Sequence, residues 1–180
     1  MNTSKQSEHL PHKSYEELKT MYTDLGVSDP EEALFAVAHY TGTGYTYMRE
    51  GKYQDEVKLI DEVIDKQPKW DGEIYRGMKV KKSFIDNIKS SIGDTLELSP
   101  NSPTSFSSSR KVAHSFAHSG GEGESLVLKM KNKRGSSIAH NSQFTGESEV
   151  LHKSAEKYTI KSFNFDSSTN TYVVELEDHE

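Results

Sequence analysis

The order of local signals along the chain constrains its fold most, because helix signals come first and strand patterns follow. The segment Ser14–Glu17 has the pattern of a capping box, and Gly26 follows as a stop signal. Asp29-Pro30 starts a second helix with proline at its first position. Residues 54–66 carry an apolar stripe opposite an acidic face. We therefore expect three amphipathic helices before residue 70.

The segment Tyr40–Arg49 lies between the second and third of these helices. Its two glycines, Gly42 and Gly44, are expected to break the helix, with a short helix restarting near Tyr45. Tyrosines crowd this junction, and such residues pack in a core more often than they contact a ligand.

After Trp70 the pattern changes to short strands with short intervening segments. Strands are predicted at 73–77, 94–98, 104–107, 126–130, 149–152, 158–165 and 171–177, a short helix at 111–118, and a short helix or a turn at 84–90. Helices followed by strands are typical of the α+β class. The chain has 180 residues, which suits one domain. We predict a flexible stretch at 1–13 and a single domain at 14–180, with a helical part at 14–70 and a β-rich core at 71–180.

Composition excludes several classes of function. The formal net charge of −6 argues against nucleic-acid binding. The absence of cysteine excludes a disulfide scaffold, a thiolate metal site and a cysteine nucleophile. Residues 1–13 are polar and lack an apolar run, so we expect neither a signal peptide nor a transmembrane span. His114 and His118 have helical spacing, but no zincin glutamate or third ligand accompanies them, so we expect no metal.

Three polar features fall in the β-rich half. They are Arg76 at the end of a strand, the serine cluster 105–109, and the pair Glu147 and Glu149 before an apolar run. Residues i and i+2 of an extended chain point to the same side, so the two carboxylates project together. Each feature alone has an ordinary explanation as a surface ion pair, a turn or exposed acids. The ordered combination is much harder to obtain by chance.

This ordered set resembles the Arg-Ser-Glu clade of ADP-ribosyltransferases, which includes clostridial binary-toxin enzymes, Rho-modifying exoenzymes and bacteriophage transferases. Tyr75-Arg76-Gly77 is similar to the aromatic-Arg-Gly motif, and Gln143–Glu149 is similar to the Glu-x-Glu motif with its preceding turn. The Ser-x-Ser motif matches either Ser105-Phe106-Ser107 or Ser107-Ser108-Ser109. The implied fold has N-terminal helices packed on a split, mostly antiparallel β core.

The resemblance implies catalytic roles for four residues. Arg76 would bind the pyrophosphate of NAD as a planar, bidentate donor. Glu149 would bind the ribose hydroxyl and stabilise the oxocarbenium character that develops when the nicotinamide bond breaks. Ser107 would orient Glu149, and Glu147 would position or deprotonate the acceptor. A glutamate at 147, where the Asn- or Cys-modifying branch tends to carry glutamine, points to an arginine acceptor.

The resemblance also implies a set of residues that contact NAD or the target protein. Tyr40 and Tyr45 have the spacing of two NAD-facing tyrosines, and Arg49 stands where relatives often carry asparagine. Phe144, on the turn before the acids, would touch the target protein. The remaining NAD contacts implied are Tyr75, Arg76, Gly77, Ser105, Ser107 and Phe116.

The implied function is a mono-ADP-ribosyltransferase that moves ADP-ribose from NAD, as co-substrate, to an arginine of a target protein. An NAD glycohydrolase and a non-catalytic NAD- or partner-binding module remain open alternatives. We expect a monomer that binds no membrane and acts in the cytoplasm of a target or host cell, as a toxin or phage effector. Delivery by a virion, synthesis in the infected cell and secretion without a classical signal peptide all fit the sequence.

Overall fold

The computed structural model describes residues 14–137 and 149–179, which divide into two compact units. The helical unit contains the described residues up to Trp70, then Leu98–Ser105 and the described part of Gly135–Glu156. The sheet unit contains Asp71–Glu97, Phe106–Arg134 and the described residues from Lys157 onward. That residues 14–180 act as one domain stays a prediction.

The helical unit begins with the helices that the capping signals predict. Ser14 precedes α1 and closes a reciprocal capping box with Glu17, while Gly26 ends the helix with a left-handed φ of 84°. The helices of this unit are α1 Tyr15–Leu25, α2 Pro30–His39, α3 Tyr45–Arg49 and α4 Gln54–Lys66. The three predicted amphipathic helices are confirmed, and an α-helical segment begins at Tyr45 as predicted.

A π-helical turn, Tyr40–Gly44, joins α2 to α3 without a break. The expectation that glycine ends the helix here is wrong, because Gly44 keeps helical φ and ψ of −73° and −22°. A π-turn bonds residue i to i+5 and so places residues five apart above one another. A Cβ at Gly44 would accordingly lie 2.6 Å from the ring of His39. Glycine permits this turn rather than interrupting it.

Two short strands complete the helical unit. Strand β5, Ser136–Ser137, pairs antiparallel with β6, Glu149–His152, and β6 neighbours β3, Thr104–Ser107. The first two residues of β3 belong to this unit and the last two to the sheet unit. Leu151 of β6 packs in a core cluster with side chains of α2 and α4. Two consecutive serines carry no apolar alternation, and β5 was not predicted.

The sheet unit is built from the end of β3 and five further strands, which are β1 Glu73–Val80, β2 Thr95–Glu97, β4 Glu124–Lys131, β7 Lys157–Asp166 and β8 Thr171–Glu177. Their order in the sheet is β2-β7-β8-β4-β1-β3. Strands β4 and β8 are parallel, and the other described pairs are antiparallel. The predicted α+β class with a mostly antiparallel β core is confirmed.

Two helices accompany this sheet, α5 Lys82–Lys89 and α6 Arg110–His118. Ala113 and Ala117 of α6 are buried against Val127, with Tyr75 packed beside them. Among the helices in the described ranges, none is long and apolar enough to cross a membrane.

Candidate active site

Glu149, the first residue of β6, is a buried carboxylate with 8% of its surface exposed. The hydroxyl of Ser105 on β3 donates a hydrogen bond to Glu149 Oε2 at 2.5 Å. Charge-assisted hydrogen bonds of this kind are short and strong. The neighbouring strand therefore fixes the direction of a carboxylate that burial alone would make costly.

Ser105 is in turn held by Tyr40 at the start of the π-turn. The Tyr40 hydroxyl lies 2.8 Å from Ser105 Oγ and 3.1 Å from the carbonyl oxygen of Pro103. The Tyr40 side chain is 2% exposed and belongs to the core cluster of the helical unit. Three side chains from separate parts of the sequence thus form one continuous chain of short polar contacts.

Tyr45 lies one π-turn after Tyr40 and has a different environment. The two rings approach edge to face, with centroids 6.4 Å apart. Tyr45 is 40% exposed, and the guanidinium of Arg49 lies over its ring at 5.1 Å. A tyrosine and an arginine stacked on an exposed helix face offer one flat surface and one cation to a ligand.

The serine cluster separates into residues with different tasks. Ser105 and Ser107 lie two apart on β3, so they share one side of the strand, and Phe106 between them is buried. Ser109 is the N-cap of α6, where its hydroxyl accepts from Val112 N. Ser107 Oγ accepts from Ser109 N at 2.9 Å. This geometry favours Ser105-Phe106-Ser107 as the Ser-x-Ser motif, and the orienting role of Ser107 toward Glu149 stays a prediction.

The aromatic-Arg-Gly motif lies in the middle of β1. Tyr75 is directly opposite Ser107 on β3, so two of the predicted motifs are paired strand residues. A Cβ at Gly77 would lie 1.7 Å from the backbone oxygen of Ala113 on α6. Side chains alternate across a strand, so Arg76 points away from this helix. Gly77 therefore serves the packing of helix on strand, and its predicted approach to NAD stays a prediction.

Three further predicted site residues are Phe116, Phe144 and Glu147. Phe116 is on α6 and is 49% exposed. Glu147 and Phe144 fall within 138–148, outside the described residues.

Solved structures of known proteins share this architecture. The ADP-ribosyltransferase Vis, a toxin of Vibrio splendidus, is solved in complex with agmatine and aligns at 22% identity and a TM-score of 0.68 over 95% of this chain and 88% of its own. HopU1 of Pseudomonas syringae pv. tomato aligns at 15% identity and 0.70 over 94% and 89%. Exoenzyme S of Pseudomonas aeruginosa, solved with human 14-3-3 protein beta and carba-NAD, aligns at 15% and 0.66 over 90% and 80%.

The chain has the ADP-ribosyltransferase fold. The resemblance drawn from the ordered motifs is thus confirmed at the level of architecture. No family model and no curated protein sequence matches the chain. The sequence identities are 15–22% over 90–95% of this chain, so the architecture is shared although overall sequence similarity is weak.

Within this ADP-ribosyltransferase fold, the far end of β6 is tied to α4. Asp61 accepts from Ser154 N at 3.0 Å and from Ser154 Oγ at 2.6 Å, and Lys153 pairs with Asp65 at 2.9 Å. Burial raises the pKa of the Asp61 carboxyl, although both Ser154 hydrogen bonds act to lower it. The strand that begins with Glu149 is therefore anchored by a second carboxylate at Ser154, two residues after its last buried position, His152.

A metal site would need several His, Asp or Glu side chains close together. In residues 14–137 and 149–179, no three His, Asp or Glu side chains gather into a site for a metal ion. The rings of His114 and His118 stack 6.5 Å apart. His118 Nε2 lies 2.7 Å from Thr171 Oγ1 and its Nδ1 3.3 Å from Ser125 Oγ. Both ring nitrogens of His118 therefore contact hydroxyl groups.

Sequence reasoning missed the Tyr40–Ser105 contact and the Asp61–Ser154 anchor. The first joins residues 65 apart and the second residues 93 apart in sequence. The i, i+2 relation of Ser105 to Ser107 was a usable signal for Ser105. Asp61 looked like one more acid on the solvated face of an amphipathic helix.

Proposed function

We propose that this chain is a mono-ADP-ribosyltransferase that moves ADP-ribose from NAD to an arginine side chain of a target protein. The hydrogen bond from Ser105 to the buried carboxylate of Glu149 carries this proposal. It joins two of the three motifs in a chain whose fold is that of ADP-ribosyltransferases.

The chemistry requires a fixed negative charge near the ribose. When the bond between nicotinamide and ribose breaks, nicotinamide leaves with the bonding electrons and positive charge develops on the sugar. A preorganised carboxylate in a partly dry site stabilises such charge far better than one in water. Glu149, buried and held by Ser105, has the properties that this task needs.

The residues proposed to hold NAD have suitable chemistry. Arg76 would supply a bidentate cation to the pyrophosphate. Tyr45 and Arg49 present an exposed aromatic face and a guanidinium next to each other. NAD is a co-substrate in this proposal, and carba-NAD bound to exoenzyme S supports the same ligand class.

The proposed acceptor is a guanidinium nitrogen of arginine. This nitrogen would form the new bond to ribose C1 and lose a proton to Glu147. The proton transfer needs a carboxylate, because a free guanidinium holds its proton tightly. Vis, solved with agmatine, supports this choice, since agmatine carries the guanidinium group of arginine. The proposed partner is therefore a target protein, and the proposed location of the reaction is a host cell.

The test measures nicotinamide release and label transfer separately. The purified chain is incubated with labelled NAD, with and without agmatine or a lysate, and both products are quantified. We expect Glu149→Gln to reduce both by at least about 100-fold, the scale for losing a preorganised electrostatic group. Glu147→Gln should abolish transfer to agmatine and leave most of the NAD hydrolysis.

A matched control is Glu122→Gln, an exposed glutamate in the loop after α6. It should keep full activity. Nicotinamide release without any labelled acceptor would instead identify an NAD glycohydrolase. NAD binding without turnover would identify a non-catalytic module.

A further inference from the structure

Tyr40 was expected to face NAD, yet its hydroxyl is buried against Ser105. The contact of 2.8 Å from Tyr40 Oη to Ser105 Oγ and the contact of 2.5 Å from Ser105 Oγ to Glu149 Oε2 lie within the helical unit. With 2% of the residue exposed, little of Tyr40 is available to a ligand. The hydroxyl therefore has a different task from the one that the spacing suggests.

The number of hydroxyl protons determines which group is the donor in each of these hydrogen bonds. A serine hydroxyl carries one proton, and an ionised carboxylate only accepts. Ser105 uses its proton on Glu149. The bond between Ser105 and Tyr40 must then be donated by Tyr40.

The other neighbour of Tyr40 does not compete strongly for that proton. The Pro103 carbonyl oxygen lies 3.1 Å from the Tyr40 hydroxyl, and it also accepts from Ser102 Oγ at 3.1 Å. Because the contact to Ser105, at 2.8 Å, is the shorter of the two, it takes the larger share of the tyrosine's proton. Consecutive hydrogen bonds polarise one another, so donation by Tyr40 strengthens donation by Ser105.

The ring of Tyr40 is also part of a packed core. It packs in the core cluster that includes Met48, Ile60 and Leu151. Leu151 lies two residues after Glu149 on β6, on the same side of that strand. The ring of Tyr40 thus belongs to the same core cluster as a residue of the strand of Glu149, and its hydroxyl reaches the carboxylate through Ser105.

We propose that Tyr40 is a positioning residue that, through Ser105, holds the Glu149 carboxylate in its reactive orientation. This inference rests on the proposed function, in which Glu149 stabilises charge on the ribose. It assigns the two tyrosines different roles, because Tyr40 acts on the enzyme's own carboxylate while Tyr45 remains the exposed ring.

The first test removes only the Tyr40 hydroxyl. In Tyr40→Phe, kcat for nicotinamide release should fall by about tenfold, the value of one hydrogen bond in a transition state. KM for NAD should stay within about twofold of the wild-type value, because uniform binding is unaffected. Tyr47→Phe, an exposed tyrosine on α3, is the matched control and should change neither constant. A raised KM with unchanged kcat would show instead that Tyr40 faces NAD and would overturn the inference.

The second test asks whether Tyr40 acts through Ser105. In a Ser105→Ala background, Tyr40→Phe should cause no further loss of kcat, because the hydroxyl that it polarises is already gone. Independent, multiplicative losses would contradict the proposed route.

The same pair of variants is tested in urea unfolding, which needs no activity. The shift of the unfolding midpoint in the double variant should be smaller than the two single shifts added together. If the wild-type chain releases no nicotinamide, the proposed function fails, and this cycle alone decides whether Tyr40 and Ser105 are coupled. Additive midpoint shifts would overturn the coupling.

Discussion

The two units hold their candidate site residues by different physical means. In the sheet unit, the motif around Arg76 is fixed by a steric fit, because α6 lies against β1 where Gly77 has no side chain. In the helical unit, hydrogen bonds fix the strand that begins with Glu149 at both ends. Ser105 donates to Glu149 at its start, and Ser154, just after its end, donates to Asp61. One unit relies on excluded volume and the other on polar contacts.

This difference determines how each region responds to change. A backbone-to-backbone contact has no flexible atoms that can move aside, so an added atom displaces a whole helix. A hydrogen bond contributes about 0.5–1.5 kcal/mol, and bonds to a carboxylate respond to its protonation. We therefore expect abrupt losses in the sheet unit and graded, pH-sensitive ones in the helical unit.

The largest effect is expected for Gly77→Ala. Its Cβ would lie 1.7 Å from Ala113 O and 2.7 Å from Ala113 C, and both are backbone atoms. The free energy of unfolding should fall by about 3 kcal/mol or more, at the upper end of overpacking costs. Urea unfolding followed by circular dichroism measures this loss.

The control is Gly120→Ala, where a Cβ meets nothing within 4 Å but φ is 41°. The free energy of unfolding of this variant should fall only by the cost of placing alanine in a left-handed backbone conformation, about 1–2 kcal/mol. If the two variants lose equal stability, steric fit is not what distinguishes Gly77.

A smaller loss is expected for Gly44→Ala, because the obstacle there is a side chain. The new methyl group would meet the ring of His39, which is held by Glu56 at 2.9 Å and by the edge of Tyr53. Displacing the ring should cost about 1–2 kcal/mol through the lost charged hydrogen bond. In a His39→Ala background the same substitution should become stabilising by up to about 1 kcal/mol, the helix propensity gain. Thermal unfolding of the four variants tests this change of sign, and a loss in both backgrounds contradicts it.

This contrast also explains what the sequence could predict. Capping, periodicity and strand alternation are local, and the helices at 15–25, 30–39 and 54–66 follow from them. Gly44 misled because glycine usually breaks a helix, whereas here a side chain at this position would clash with His39. That clash depends on residues five apart in an uncommon geometry, which no propensity encodes.

The candidate site was predictable only where its members form ordered motifs. The residues Arg76, Ser105 and Glu149 could be named in this way. The tie between Tyr40 and Ser105 needed the distance between two side chains far apart in sequence. The packing role of Gly77 likewise needed the position of α6.

A loss of about 1 kcal/mol is expected for Ser109→Ala, which removes the N-cap of α6. If Ser109 is only a cap, KM for NAD should not change, in contrast to a residue of the Ser-x-Ser motif. Ser115→Ala, exposed on the same helix, controls for serine replacement and should lie within about 0.5 kcal/mol of wild type. A raised KM in Ser109→Ala would restore the Ser107-Ser108-Ser109 register. The readouts are urea unfolding and NAD saturation curves.

The smallest and most pH-dependent effect is expected for Asp61→Asn, which probes the hydrogen-bonded region. Burial raises the pKa of Asp61 above its ordinary value of 3.8, so the folded state binds its proton more tightly than the unfolded state. Stability from this group is therefore lost as pH rises through the acid range and stays lost at neutral pH. Asparagine keeps a carbonyl oxygen for Ser154 and has no proton to lose. At pH values below the ordinary carboxyl pKa of 3.8, wild type and Asp61→Asn should have the same free energy of unfolding. At neutral pH the variant should be the more stable of the two. Urea midpoints measured across the acid range give this difference directly. If the variant is instead less stable at neutral pH, the charged Asp61–Ser154 bonds outweigh the cost of burial, and the polar anchor of β6 is stronger than its position implies.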